Sequence, residues 1–162
     1  MITLQKLKSV VRYEPETGIF RNQARRGHLA PDAICGSPNG LGYIVVTIGR
    51  KHFLAHRLAW FYTYGTWPPE QIDHINLIRS DNRLENLRLA SQRENQQNKP
   101  RYKNNTSGVK GVSWHRKNRN WRARIKVGEK YLHIGSFASK EEAAAAYAAA
   151  AERYFGQFAR AA

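Results

Sequence analysis

A chain of 162 residues suffices for one ordinary domain or a few small modules, each with a thin core. A formal net charge of +15 and a pI near 10.4 argue against an enzyme of small metabolites and point to a polyanionic partner, most commonly nucleic acid. The single cysteine, Cys35, excludes an intramolecular disulfide and a finger built on several thiolates; it fits a reducing cytoplasm and reads as a small apolar filler. No apolar run reaches membrane length and MITLQKLKSVV lacks the features of a secretory leader, so no membrane partner is expected.

In chain order, residues 1–55 form a β-rich segment. They open with a short helical stretch, TLQKLKSVVRY, followed by a turn signal at Glu14-Pro15-Glu16-Thr17-Gly18. The run from Gly42 to Ile48 and the run Lys51-His52-Phe53-Leu54, separated by Gly49-Arg50, predict a hairpin. Residues 56–98 begin with a helix-like segment, HRLAWFYTYG, whose aromatic residues fall at helical intervals and so read as core. Residues 99–107, KPRYKNNTS, lack an apolar stripe and read as a basic linker. In residues 108–162, three alternating runs (111–115, 121–127 and 131–135) predict a three-stranded antiparallel sheet. A helix follows: Ser139 and Glu142 form a capping box, an alanine-rich body lies close to the sheet, Tyr147, Tyr154 and Phe155 supply bulk, and Gly156 ends it. The expected fold class is α+β.

The chemistry-bearing stretch is Ile72-Asp73-His74-Ile75-Asn76, then Asp81-Asn82-Arg83-Leu84-Glu85-Asn86-Leu87-Arg88, then Ser91-Gln92-Arg93-Glu94-Asn95. Over roughly residues 56–98 it resembles the His-Asn-His (HNH) nucleases, in the variant with asparagine in place of the last histidine. The resemblance implies a ββα-metal module: a strand over Gln71–Ile75, a second over Asn86–Leu89, and a helix capped by Ser91 running through Asn98. It implies a divalent ion, Mg²⁺ or Mn²⁺, one per site. Histidine can take a proton from water near neutral pH, which makes His74 the candidate general base. Asp73 and Asn95 offer a carboxylate and an amide oxygen, hard ligands suited to such an ion. By the family's pattern Asn86 fixes the loop that orients the histidine, and Asn82 reads as a structural turn former. Adjacent strand positions face opposite ways, so Asp73 and His74 share a site only if the strand bends there. His56-Arg57 also matches the family, with Arg57 a candidate phosphate contact. The loop that commonly carries Gly-Asn after the Asp-His pair reads Leu77-Ile78-Arg79 here.

Charge is unevenly spread. From Asp73 to Asn95, Asp73, Asp81, Glu85 and Glu94 balance Arg79, Arg83, Arg88 and Arg93, whereas from Lys99 to His133 eleven lysines and arginines face Glu129 alone. Alternation puts Val112, Trp114, Trp121, Ala123, Ile125, Leu132 and Ile134 against the helix, and leaves Ser113, His115, Arg122, Arg124, Lys126, Tyr131 and His133 outward. Lys110-Gly111-Val112, the strand Trp121–Ile125, the segment Leu132–Phe137 and the alanine-rich helix resemble the APETALA/ethylene-responsive-factor DNA-binding domain over about residues 107–159. That domain lays its sheet into the major groove, so Lys110, Ser113, His115, Arg122, Arg124, Lys126, Tyr131 and His133 become candidate DNA contacts.

Together these features imply a homing-type endonuclease of a phage or mobile element, acting on double-stranded DNA in a bacterial cytoplasm, with binding supplied by the C-terminal sheet and cutting by the central module. Residues 1–55 resemble the β-rich leader often found ahead of the HNH motif. No dimer seam is visible, which favours a monomer but leaves the oligomeric state open: one HNH site per chain would nick one strand unless two chains assemble. A binding-only regulator with a degenerate nuclease module would instead bind without cleaving. An RNA-binding protein would account for the charge but not for Asp73, His74 and Asn95 together.

Overall fold

The computed structural model describes residues 2–25, 29–97 and 105–159. The chain is mixed helix and antiparallel sheet and divides into two compact units, residues 1–91 and 92–162.

In the first unit, Thr3 caps α1 (Leu4–Val10), its side chain accepting from the Lys6 amide, and the chain passes directly into β1 (Val11–Glu14). β1 pairs with β2 (Ile19–Asn22), which pairs with the short β3 (Ile34–Cys35). Cys35 is buried as expected, and its thiol donates to Asn22 Oδ1 at 2.8 Å. A second sheet is built from β4 (Ser37–Pro38), β5 (Ile44–Ile48) and β6 (Lys51–Leu54), and the β5–β6 hairpin turns at Gly49-Arg50 as the sequence predicts. β6 runs straight into α2 (Ala55–Tyr64), which Gly65 ends in the left-handed conformation. β7 (Gln71–His74) and β8 (Leu87–Ala90) then form a two-stranded antiparallel ribbon.

One hydrophobic core draws on all of these elements except β4. Leu7, Val11 and Phe20 from the N-terminal segment pack in the same cluster as Leu58 and Phe61 of α2, Ile72 of β7 and Leu87 of β8. The β-rich leader and the ββ ribbon therefore share their packing across residue 55.

The second unit starts with α3 (Gln92–Gln97) and is dominated by β9 (Val112–His115), β10 (Asn120–Val127) and β11 (Lys130–Phe137), in the order β11-β10-β9, covered by α4 (Lys140–Phe155). The expected linker falls mostly on residues 98–104, outside the described residues, as does Asn98. Ser139 and Glu142 form the capping box, and the small side chains of Ala143 and Ala151 let α4 settle on Val112, Ala123 and Ile125. Gly111 is required here. Its φ is +73°, and an added Cβ would lie 2.1 Å from the Tyr147 ring and 2.6 Å from the Arg124 carbonyl.

Two packing expectations need correction. Trp114 remains 46% exposed: β9 is the edge strand, and the Trp114 ring meets Trp121 edge-on at 5.3 Å instead of joining the core under α4. Tyr154 is also 46% exposed, with Arg153 over its ring, whereas Tyr147 is buried and Phe155 packs at the core margin.

Candidate nuclease centre and nucleic-acid interface

The centre of the first unit is the end of β7. Register pairs Asp73 with Arg88 and His74 with Leu87 across the ribbon. Both Asp73 and His74 are buried, and they have different neighbours. Arg88 donates to Asp73 Oδ2 from Nε at 2.9 Å and from Nη2 at 2.7 Å, so a buried carboxylate is met by a partly buried guanidinium. The His74 ring lies edge-on to His56 at 5.0 Å between centroids and 5.9 Å from Tyr43. Tyr43 also contacts His56 at 5.2 Å, and the Arg79 guanidinium sits 5.0 Å above the Tyr43 ring while donating to the Leu41 carbonyl.

Asn82 decides which way His74 carries its proton. Its amide nitrogen donates to the Ser80 carbonyl at 3.1 Å, which turns Oδ1 towards His74 Nε2, 3.4 Å away. A carbonyl oxygen only accepts, so this contact favours the tautomer with the proton on Nε2 and the lone pair on Nδ1. Burial lowers the His74 pKa below its ordinary value, with the Asn82 contact and Asp73 acting against that shift. Burial thus favours the neutral imidazole at His74.

Asn86 ties the intervening loop together. Its side chain accepts from the Asn76 amide at 3.0 Å and donates to Asn76 Oδ1 and to the Asp81 carbonyl. Arg83 pairs with Asp81 and with Glu85, and the Arg83 hydrogen bond holds the Asp81 carboxyl at about 2. The unusual Leu77-Ile78-Arg79 stretch retains the backbone that Gly or Asn would favour. Leu77 has φ +66°, its amide donates to the His74 carbonyl, and Asn76 Oδ1 receives the Ile78 amide. A leucine in that conformation costs about 1–2 kcal/mol, so the turn is maintained against local preference.

His56 is the neighbour that a sequence reading undervalues. It is buried, its Nδ1 has no hydrogen-bond partner, and burial together with the nearby His74 and Arg57 lowers its pKa to about 3. Since the unfolded value is near 6.5, the unfolded chain binds one more proton than the folded chain between about pH 6.5 and 3. Stability is therefore full above pH 6.5 and falls as the pH drops through that window, by about 1.4 kcal/mol per pH unit for this group. Denaturant titrations at pH 7 and pH 5 should show the loss, and His56→Gln should reduce the slope by about one proton. Equal slopes in the two proteins would refute this account.

Arg57 is committed within the protein. Its guanidinium donates to the carbonyls of Pro68 and Glu70 at 3.1 Å each, which secures the approach to β7. Asn95 stands on α3, in the second unit. Among the described residues, no three His, Cys, Asp or Glu side chains gather as a metal cage. The Asp73 carboxylate is a hard oxygen donor, and its chemistry fits a divalent ion that completes its shell with water and phosphate.

In the second unit, the candidate DNA contacts other than Lys110, which precedes β9, share one sheet face. Arg124 stands opposite His133, Lys126 opposite Tyr131, and Arg122 between Ser113 and Ser136. Arg124, Lys126, Tyr131 and His133 are exposed, while Lys110, Ser113, His115 and Arg122 are half-buried. The Arg122 Nε is buried without a hydrogen-bond partner, and His115 Nδ1 accepts from the Asn118 amide. Lys126 also reaches Glu129 at 3.7 Å. One residue, Ile134, is bulged out of register between the Ala123–Gly135 and Arg124–His133 pairs, which keeps Leu132 and Phe137 on the inner face on either side of it.

Comparison with known proteins gives the class: a family model described as HNH endonuclease matches residues 53–97. Protein 3.8 of Escherichia phage T7 is 39% identical over 106 residues, covering 65% of this chain and 87% of the phage protein. The chain belongs to the family of that phage protein and carries an HNH endonuclease domain. Two Arabidopsis thaliana proteins, the AP2-like ethylene-responsive transcription factor At1g16060 and the ethylene-responsive transcription factor WRI1, are each 48% identical over 52 residues. That match takes in 31% of this chain but only 15% and 12% of the plant proteins.

Proposed function

We propose that the chain is a homing-type endonuclease that hydrolyses phosphodiester bonds of double-stranded DNA with His74 as general base. The observation that carries this reading is a buried histidine whose Nε2 faces the Asn82 side-chain oxygen, next in sequence to a buried carboxylate, within the residues that match the HNH endonuclease model. His74 Nδ1 takes a proton from water as the water oxygen bonds to phosphorus. The bond from phosphorus to the 3′ oxygen breaks, leaving a 5′ phosphate and, once that oxygen is protonated, a 3′ hydroxyl. Asp73 would hold one Mg²⁺ or Mn²⁺ through a carboxylate oxygen, and the ion when bound stabilises charge on the phosphate and the departing oxygen; Asn95 carries an amide oxygen of the same hard-ligand type. Asn86 acts through the loop it ties.

The sheet of the second unit supplies affinity and register. Arg124, Lys126, Tyr131 and His133 present cationic and hydrogen-bonding groups on one exposed face, as β-ribbon readers of the major groove do, with Lys110, Ser113, His115 and Arg122 beside them. The similarity to the plant transcription factors and the strong basicity of this region support that role. Mapping cleavage ends on a random-site duplex library tests the whole reading. Mg²⁺-dependent ends at a defined sequence are expected, and binding without cleavage in either Mg²⁺ or Mn²⁺ would overturn it.

A further inference from the structure

The N-terminal segment makes its closest approach to the nuclease loop through the turn between β1 and β2. The Tyr13 hydroxyl, at the end of β1, is buried and donates to the Asn82 carbonyl at 2.7 Å. The Leu84 amide donates to the Pro15 carbonyl at 3.0 Å. Gly18, with φ +73°, sits so close to the loop that an added Cβ would lie 2.4 Å from both Asn82 C and Arg83 N. Three separate contacts from one hairpin thus converge on residues 82–84. Asn82 is the residue whose side chain faces His74, and its 3.4 Å separation lies at the long limit for a hydrogen bond. Within the loop, Asn86 restrains residues 76 and 81, so the hairpin supplies the restraint on Asn82 from outside the HNH segment.

We propose that the β1–β2 hairpin is a positioning element of the nuclease centre, with Tyr13 setting the His74 ring through Asn82. This rests on His74 being the base. A shift of Asn82 by well under an ångström would lose the contact to Nε2 and weaken the preference for the tautomer protonated there. Misplacement of about 1 Å at a reacting group can cost about 100-fold in rate. The Tyr13 ring has a separate duty in the core, packing on Phe20 at 4.8 Å and Tyr62 at 5.9 Å between centroids. Tyr13→Phe keeps that packing and removes only the hydroxyl.

The test uses the full-length protein, Mg²⁺ and the duplex recovered by end mapping, well below the unfolding temperature of each variant. Tyr13→Phe is expected to lower kcat by about 10- to 100-fold with KM and DNA affinity unchanged. The imidazole ¹⁵N shifts should change from a single Nε2–H tautomer of His74 in the wild type to a tautomer mixture. If Tyr13→Phe folds poorly, Gly18→Ala presses on the same loop backbone from the turn and should give the same split. Wild-type kcat and an unchanged tautomer in a folded variant would overturn the proposal. If His74→Ala is inactive in that case, the positioning role alone has failed; if His74→Ala cleaves normally, the assignment of the base has failed and the positioning role with it.

Discussion

Alanine in place of His74 is expected to slow DNA cleavage by about 10²–10⁴, the usual contribution of a well-placed general base. DNA affinity should survive, because the exposed cationic face belongs to a different unit from the histidine. His74 is packed against His56 and Tyr43, so alanine also opens a cavity, and His74→Gln is the companion that retains most of the volume. Single-turnover cleavage and a gel-shift titration, run side by side, separate the two effects. Loss of both cleavage and binding in the two variants would mean that the site is structural, and full cleavage in either would remove His74 from the chemistry.

Arg88→Met should give the largest change in stability. It removes the guanidinium that meets Asp73 at 2.7 Å in a buried setting, and breaking such a pair from one side costs about 3–5 kcal/mol. A divalent ion at the same carboxylate would restore part of that loss, by about 2.7 kcal/mol at 100-fold excess over its dissociation constant. Urea unfolding in EDTA and in Mg²⁺ provides the comparison: the Mg²⁺-dependent gain should be larger in Arg88→Met than in the wild type, where the carboxylate charge is already met. Identical curves with and without Mg²⁺ in the variant would count against Asp73 as an ion ligand.

Local patterns made much of the architecture legible. The β5–β6 hairpin, the three strands of the second unit and the Ser139–Glu142 capping box all lie where alternation, turn residues and capping chemistry put them, and β7 lies where the HNH resemblance implies a strand. The features that escaped depend on contacts between distant residues. The balance of acids and arginines in the HNH segment was countable, but only the β7–β8 register shows that Arg88 belongs to Asp73 and Arg83 to Asp81 and Glu85. Asn82 reads as an ordinary turn former because nothing nearby in sequence indicates that it is buried between Tyr13 and His74. Strict alternation placed Trp114 inside, but it takes no account of where a sheet ends and a covering helix stops.

The shared core of the first unit bears on portability. The segment recognisable as HNH endonuclease, residues 53–97, contributes Ile72 and Leu87 to a cluster whose other members include Leu7, Val11, Phe20 and Val46 from upstream. Excised on its own, that segment would expose these apolar side chains to water and lose the surface on which its ribbon rests. A transplant of the cutting activity onto another DNA-binding module should therefore carry the chain from its N-terminal helix onwards, because the recognisable motif is smaller than the unit that folds.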